Sequence, residues 1–290
     1  MFKDVYARRP MLVSLTLSCF LLLTFTFVGT LVFFATKPAV AAASNSRRSS
    51  LVGPKQHYLA LGNSLAFGFQ PNKDFSHGYV VDFFEQDLQK DGVKDFLNLG
   101  CPGETSTTFI TGGCPAAPGG SPPQLVSALA YLRAKAGTVS PVTLDIGAND
   151  VLRDIDPTTC TIDQSKFDTD LATLDANLTH VILPQLHAAL TVNGQLTGDL
   201  VMMNYYDPYQ NICPNTVPFA EKENQHLAND VSGFGSIVDV FDAFGGAKTP
   251  NPHICKYTWM CVAPPLGPNI HPTDKGYEVI ADTFDKGTGF

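Results

Sequence analysis

The sequence predicts an α/β fold in which a five-stranded, mainly parallel sheet is covered by helices. Two observations support this prediction. Short apolar runs alternate with longer amphipathic runs, which is typical of strands joined by crossover helices. The chain has 290 residues and is 44% hydrophobic, enough to bury one substantial core. A single domain over residues 57–290 is therefore expected.

The strands and helices are expected in strict alternation along this domain. The five strand-like runs cover residues 57–62, 95–100, 141–147, 199–206 and 236–244. The helix-like runs cover residues 79–92, 122–137, 167–192, 218–234 and a segment after Pro272. Pro184 lies inside the third helical run. Because proline lacks the N–H that a helix interior uses, a kink or break is expected there.

The N-terminal residues indicate export. Residues 11–35 contain no charged side chain, and three basic residues precede them. This run is long enough to span a bilayer, yet the small residues at 39–44 also offer cleavage sites. A cleaved signal peptide within residues 1–43 and a retained anchor through 11–35 both fit. Either one leaves the bulk of the chain outside the cytoplasm, with residues 44–56 as a flexible linker.

The charge balance excludes a nucleic-acid partner. The formal net charge is −8, but residues 1–50 carry six basic and one acidic side chain. The remaining residues therefore carry 13 basic and 26 acidic side chains. No basic face is available to neutralise phosphates.

The cysteines agree with an exported domain. Six follow the N-terminal apolar run, and an even number in a secreted protein suggests three disulfides. Their order along the chain favours pairing Cys101 with Cys114, Cys160 with Cys213, and Cys255 with Cys261. No pair of cysteines or histidines has the spacing of a zinc site, so neither a metal nor another cofactor is expected.

Polar residues gather where the predicted strands end. In open parallel sheets, ligands bind beyond the carboxyl ends of the strands. Ser64 follows the first strand, Gly103 the second and Asn149 the third, while His271 precedes the final helix. Serine is a weak nucleophile by itself, so a histidine base and oxyanion donors at neighbouring strand ends indicate nucleophilic catalysis.

Four short blocks resemble the SGNH, or GDSL-type, hydrolases. The blocks are "ALGNSLAFG", "NLGCPGETS", "IGAND" and "NIHPTDKGY", and they follow one another in the family's order. The resemblance implies a flavodoxin-like three-layer α/β/α sandwich and ester hydrolysis. It implies that Ser64 is the nucleophile and His271 the general base. The backbone N–H groups of Ser64 and Gly103 and the side chain of Asn149 would form the oxyanion hole.

The sequence departs from the family pattern at two positions. Asn63 replaces the usual aspartate before the serine, and a supporting role for its side chain is expected to survive. Pro268 occupies the position of the aspartate that often orients the histidine. A Ser64–His271 dyad is therefore expected, with the Pro268 carbonyl accepting from the histidine. A distant carboxylate such as Asp239 or Asp242 is the alternative.

Three functions remain open from the sequence. The first is an extracytoplasmic esterase or lipase that acts on a small-molecule ester or lipid. The second is an acetylesterase that acts on carbohydrate, and the third is a catalytically silent surface domain. Tyr205, Tyr206, Tyr209 and Trp259 suit acyl, aryl or sugar groups equally well, and packing roles are at least as plausible for each.

Overall fold

A five-stranded parallel sheet forms the centre of the protein. The computed structural model describes residues 51–117 and 122–290. The strands are β1 (His57–Gly62), β2 (Asp95–Asn98), β3 (Val139–Asp145), β4 (Leu200–Met203) and β5 (Ser236–Val238). Their order is β2-β1-β3-β4-β5, and each neighbouring pair is parallel. Two short antiparallel hairpins, Ile155–Asp156 with Thr161–Ile162 and Thr191–Val192 with Gln195–Leu196, lie outside this sheet.

Burial within the sheet follows strand position. Every residue of β1, β3 and β4 is buried, whereas the edge strands β2 and β5 are partly exposed. A parallel sheet is covered on both faces, so its central strands are largely apolar and do not alternate regularly with polar residues. This explains why the predicted strands were recognisable as continuous apolar runs.

Eleven α-helices occur within the described residues, and the last three follow the final strand. They are α1 (Ser64–Phe67), α2 (Tyr79–Phe83), α3 (Ser106–Thr111), α4 (Gln124–Ala134), α5 (Ala148–Val151), α6 (Gln164–Asn177), α7 (Leu183–Ala189), α8 (Val217–Val231), α9 (Val240–Ala243), α10 (Pro252–Tyr257) and α11 (Asp274–Thr288). Single 3₁₀ turns occur at Leu152–Asp154, Pro214–Thr216 and Trp259–Cys261. The helices are shorter and more numerous than the sequence predicted.

The strand order places the helices in two layers. Crossovers between parallel strands are right-handed, so the face on which a connecting helix lies depends on the direction in which the next strand is added to the sheet. The chain steps one way from β1 to β2, which puts α2 on one face. It steps the other way from β2 through β5, which puts α4, α6, α7 and α8 on the other face. The last helix, α11, packs against α2. The fold is the expected three-layer α/β/α sandwich, with the flavodoxin-like strand order.

The long helix predicted over residues 167–192 changes its hydrogen bonding before Pro184. Helix α6 ends at Asn177, Leu178–Ile182 form a π-helical turn, and α7 then begins with Pro184 in its first turn. In that position the missing N–H of proline removes no helical hydrogen bond. The expected irregularity is present, and it lies in the turn that precedes the proline.

Two predicted boundaries were wrong. The run 236–244 is a strand only to Val238, because the Asp239 side chain accepts from the N–H of Asp242 and begins helix α9. Residues 52–56, expected within a flexible linker, are bound to the domain. The N–H groups of Val52 and Gly53 donate to the Asp199 carboxylate over 2.9 and 2.8 Å. The domain therefore begins no later than Val52.

The three expected disulfides are present. Cys101 is joined to Cys114, Cys160 to Cys213, and Cys255 to Cys261. The expected signal peptide or anchor at residues 1–43, including the apolar run 11–35, lies outside the described residues. Within the part of the chain that is described, no helix is both long and apolar enough to cross a membrane.

The disulfides should stabilise the domain unequally. The Cys160–Cys213 bond spans 53 residues and the Cys255–Cys261 bond spans 6. A longer closed loop restricts the unfolded chain more, so replacing the first pair by serine should cost about 4 kcal/mol and the second about 2 kcal/mol. Urea unfolding of the two double variants measures the difference. A larger loss from the shorter loop would contradict this entropic ranking.

Candidate active site

The turn that follows β1 presents Ser64 at the carboxyl edge of the sheet. Gly62 ends the strand with φ +139°, and a Cβ added there would lie 1.6 Å from Oδ1 of Asp145. Only glycine fits this close approach. The next N–H, that of Asn63, donates to the same Asp145 oxygen over 2.6 Å. The end of β1 is thereby tied to the end of β3, and Ser64 begins α1 beside it.

Asn63 supports this turn from within the protein. It is 2% exposed, and its side-chain oxygen accepts from the N–H of Leu65 over 2.9 Å, which caps helix α1. Its side-chain amide donates to the hydroxyl of Tyr205 over 3.1 Å. An asparagine can make both contacts without a charge, so the replacement of the family's aspartate leaves the helix cap intact.

Ser64 and His271 are in direct contact. The Nε2 atom of His271 lies 2.9 Å from Oγ of Ser64. The Nδ1 atom lies 2.7 Å from Oδ1 of Asn269, which also accepts from the backbone N–H of His271 over 3.1 Å. Burial lowers the pKa of His271 to about 4. The ring is therefore neutral at pH 7, with Nδ1 donating to Asn269 and Nε2 free to accept from the serine.

The prediction that the Pro268 carbonyl accepts from His271 was wrong. The hydrogen-bond partner of Nδ1 is the side chain of Asn269 and not the carbonyl of Pro268. Asn269 is two residues from the histidine, and its side chain folds back over the intervening peptide as a local turn. The alternative carboxylate, Asp239, instead accepts from Asn204 and caps helix α9. The histidine is oriented by a neutral amide oxygen.

Trp259 holds the loop that carries His271. Its N–H donates to the His271 carbonyl over 3.0 Å, and its carbonyl accepts from Asn269 over 3.1 Å. Its indole N–H donates to the Pro272 carbonyl over 3.1 Å. The nearby hydroxyl of Tyr206 donates to the Ile270 carbonyl over 2.6 Å. These bonds on both sides of the histidine restrict the positions that its ring can take.

Asn149 lies at the start of α5, after β3. Its side-chain amide donates to the carbonyl of Glu104 over 2.9 Å. A primary amide has two N–H donors, so one remains for a second acceptor. Gln124 steadies this arrangement, because it bonds both backbone groups of Gly62 and donates to the Glu104 carboxylate over 3.0 Å. The ends of β1 and β3 and the loop after β2 are thus linked.

Gly103 lies in the loop that follows β2. Cys101, two residues earlier, donates its N–H to the carbonyl of Gly62 over 3.0 Å, which brings the loop beside the end of β1. Gly103 has φ +86°, and a Cβ there would meet the ring of Pro115 at 3.0 Å. It is not one of the described residues that line the cleft around Ser64.

A cleft opens beside Ser64, Asn149 and His271. Tyr205 and Tyr206 line it, as the sequence suggested, whereas Tyr209 and Trp259 are not among its described lining residues. Most of the wall is apolar, and it includes Leu65, Val151, Leu152, Ile155, Phe167, Phe219 and Ile270. Three polar side chains interrupt this wall: Asp207, Thr216 and Glu223.

One group of potential metal ligands occurs among the described residues. Cys101, Glu104 and Cys114 place their ligand atoms within 4.8 Å of one another. The two sulfur atoms are bonded to each other in a disulfide, so neither is a free thiolate. The group does not have the donors of a metal site.

The sequence of the domain matches a known family. The model of the GDSL-like lipase/acylhydrolase family matches residues 60–279. The chain belongs to this family. It is therefore an enzyme of the carboxylic ester hydrolase class, and the matched range includes Ser64, Asn149 and His271. No curated protein matches the chain in sequence.

Solved structures share the fold at low sequence identity. An acetylxylan esterase from Geobacillus stearothermophilus is 17% identical, with a TM-score of 0.55, over 83% of this chain and 97% of its own. A lipase from a goat rumen metagenome is 15% identical, with a TM-score of 0.56, over 80% and 96%. Phospholipase A1 from Streptomyces albidoflavus is 16% identical, with a TM-score of 0.50, over 80% and 99%. At these identities the likeness shows the fold.

Two residues of the site escaped the sequence analysis. Asn269 lies inside the quoted histidine block, so its nearness to His271 in the chain was a usable signal. Gln124 begins helix α4, and no sequence pattern marked it as a site residue. Its contacts with Gly62 and Glu104 form only when the sheet is assembled.

The pH dependence of ester hydrolysis should report the environment of His271. Its protonated form cannot accept the serine proton, so activity should fall as the pH decreases through about 4, the lowered pKa. In Asn269→Asp a carboxylate would favour the imidazolium, raise that pKa, and move the loss of activity to higher pH. Profiles of kcat/KM against pH measure both effects.

The exposed Asn229 provides a matched control, since Asn229→Asp adds the same charge on the surface. This variant should leave the pH at which kcat/KM falls on the acid side unchanged. Asn269→Ala removes the acceptor and should lower kcat about tenfold. If Asn269→Asp and Asn229→Asp gave the same profile, residue 269 would not be the group that orients the His271 ring.

Proposed function

We propose that the protein hydrolyses carboxylic esters through a Ser64–His271 dyad outside the cytoplasm. The observation that carries the proposal is the 2.9 Å contact between Ser64 Oγ and His271 Nε2 at the mouth of the cleft. The neutral state of the buried histidine supports its role as the base. The orienting group is the Asn269 amide, so the dyad works without a carboxylate.

Acylation begins when His271 Nε2 accepts the hydroxyl proton and Ser64 Oγ forms a bond to the ester carbonyl carbon. The carbonyl oxygen takes up the electron pair and becomes an oxyanion. When the tetrahedral intermediate collapses, the bond to the leaving oxygen breaks. His271 returns its proton to that oxygen, and the alcohol departs from an acyl-Ser64 intermediate.

The oxyanion is stabilised by donors at the strand ends. Asn149 supplies the N–H that is not bound to Glu104, and the backbone N–H groups of Ser64 and Gly103 supply the others. Donors that are held in place before the reaction need no reorganisation as charge develops. The anchoring of Asn149 by the Glu104 carbonyl supports this assignment.

Deacylation repeats the same steps with water. His271 accepts a proton from water as its oxygen attacks the acyl carbon, and the bond to Ser64 Oγ then breaks. The serine recovers the proton from His271, and the carboxylic acid is released. No metal or redox group is required for any bond made or broken here.

The cleft indicates the class of ester. Its largely apolar wall fits the hydrocarbon part of a small ester or lipid. An exported location is supported by the three disulfides, which are rare in reducing compartments, and by the uncharged run at residues 11–35. The apolar run would serve as a signal peptide or as an anchor.

Hydrolysis of a p-nitrophenyl ester series by residues 51–290 under oxidising conditions tests the proposal. Ser64→Ala should abolish turnover and covalent labelling by a fluorophosphonate. Asn149→Ala should retain labelling but lose about 2.7–4 kcal/mol of transition-state stabilisation, or about 10²–10³-fold in kcat. Ser165→Ala, at an exposed serine, is the matched control and should behave as the wild type.

Retained turnover in a folded Ser64→Ala variant would exclude the dyad mechanism. Labelling of another serine would exclude it equally. Equal kcat values for Asn149→Ala and wild type would remove Asn149 from the oxyanion hole while leaving the nucleophile in place.

A further inference from the structure

Glu223 places a carboxyl group in the wall of the cleft. It lies on helix α8, one turn after the lining residues Phe219 and Ala220, and its side chain is part of the same wall. The residue is only 5% exposed. Acidic side chains are rarely buried to this extent unless they have a partner.

The carboxyl group of Glu223 is incompletely bonded. Among the described residues, no donor lies within hydrogen-bond distance of its Oε1 atom. The nearby surface is apolar, since a Cβ added to Gly147 would lie 3.4 Å from this oxygen and within 3.1–3.3 Å of methyl groups of Leu174 and Leu227. The carboxyl thus lies below the turn that leads to Asn149.

The other acidic residues near this wall have their partners. Asp207 accepts from the hydroxyl of Thr216 over 2.5 Å and from the N–H of Tyr209 over 2.8 Å. Asp150 accepts from the N–H and hydroxyl of Ser106 over 2.9 and 2.6 Å. These bonds account for the burial of both aspartates as structural groups. No comparable hydrogen bonds to Glu223 occur among the described residues.

The protonation state of Glu223 defines what it can recognise. Burial, and then the charges of Asp150 and Asp207, raise its pKa to about 8. No lysine or arginine is among the described residues that line the cleft. The group is mainly a neutral carboxylic acid at pH 7, with one O–H donor and free acceptor positions. A hydroxyl group, which also donates and accepts, complements it.

We propose that Glu223 is a specificity residue that hydrogen-bonds a hydroxyl group of the substrate, so that hydroxylated esters are preferred over alkyl esters of the same size. The inference rests on the proposed ester hydrolysis at Ser64. The hydroxyl belongs either to the acyl chain or to the alcohol. The substrate hydroxyl would bond the carboxyl through Oε2, since Oε1 is closed off from solvent. A site that hydrogen-bonds a hydroxyl disfavours esters that lack it, because its polar group is then left unpaired.

Isosteric ester pairs test the preference. On the acyl side, p-nitrophenyl 3-hydroxypropanoate is compared with the butyrate, and 6-hydroxyhexanoate with the heptanoate. On the alcohol side, 2-hydroxyethyl acetate is compared with propyl acetate. The measured quantity is the ratio of kcat/KM within each pair, which cancels effects common to both members. The wild type should favour the hydroxylated ester about tenfold in at least one of the two comparisons, acyl side or alcohol side. The comparison that shows the preference identifies the half of the ester that carries the hydroxyl.

Two substitutions separate hydrogen bonding from charge. Glu223→Gln keeps a donor and an acceptor and should retain the preference, whereas Glu223→Leu should bring the ratio close to one. Glu221→Gln and Glu221→Leu, at an exposed position on the same helix, are matched controls and should keep the wild-type ratio. In urea unfolding, Glu223→Leu should be at least as stable as the wild type, since it removes an unpaired buried polar group.

Several results would overturn the proposal. One is a Glu223→Leu variant with the wild-type ratio in every arm. Another is loss of specificity in both Glu223 variants, together with a wild-type preference for acetylcholine over 3,3-dimethylbutyl acetate. That result would mean that Glu223 is ionised and binds a cationic group of the substrate. Ser64-dependent turnover without any hydroxyl preference rejects this inference alone, whereas turnover that does not depend on Ser64 rejects the proposed function and this inference with it.

Discussion

The site depends on the close approach of the first and third strands at their carboxyl ends. Gly62 leaves no room for a side chain beside Asp145, and the following N–H of Asn63 donates to the same carboxyl. Burial raises the pKa of Asp145 well above its usual range, which disfavours a negative charge beneath Ser64. This junction sets the position of Ser64, and the histidine loop and the Asn149 turn converge on it.

The histidine operates with a neutral orienting partner. In a serine hydrolase with an aspartate, the negative charge stabilises the imidazolium that forms during attack. Here Asn269 fixes the tautomer of His271 through hydrogen bonding without that charge, and burial disfavours the protonated ring. The bonds between Trp259 and the histidine loop supply orientation by backbone contacts. In the proposed mechanism, this arrangement favours a base that stays unprotonated in mildly acidic surroundings, at the cost of less stabilisation of the imidazolium.

The cleft retains polar groups that a packed core would exclude. Asp207, Thr216 and Glu223 interrupt a largely apolar wall, and burial raises the pKa of the two carboxyl groups. Asp207 is held by two hydrogen bonds, so its burial is compensated within the protein. The Oε1 atom of Glu223 has no such partner among the described residues, and an uncompensated buried polar group of this kind is more common at functional sites than in a packed core.

The sequence by itself determined the strands and the residues that follow them, because both are local properties. Buried parallel strands are continuous apolar runs, and Ser64, Asn149 and His271 lie in short motifs at their ends or before the last helix. The tertiary structure decided which side chains meet. Asn269, rather than Pro268, binds His271 because the loop folds over one intervening peptide. Glu223 lies in a helix segment rich in charged residues, and only the packing of that helix against its neighbours turns it inward. The surroundings of Glu223 depend on residues distant in the chain, which no local pattern encodes.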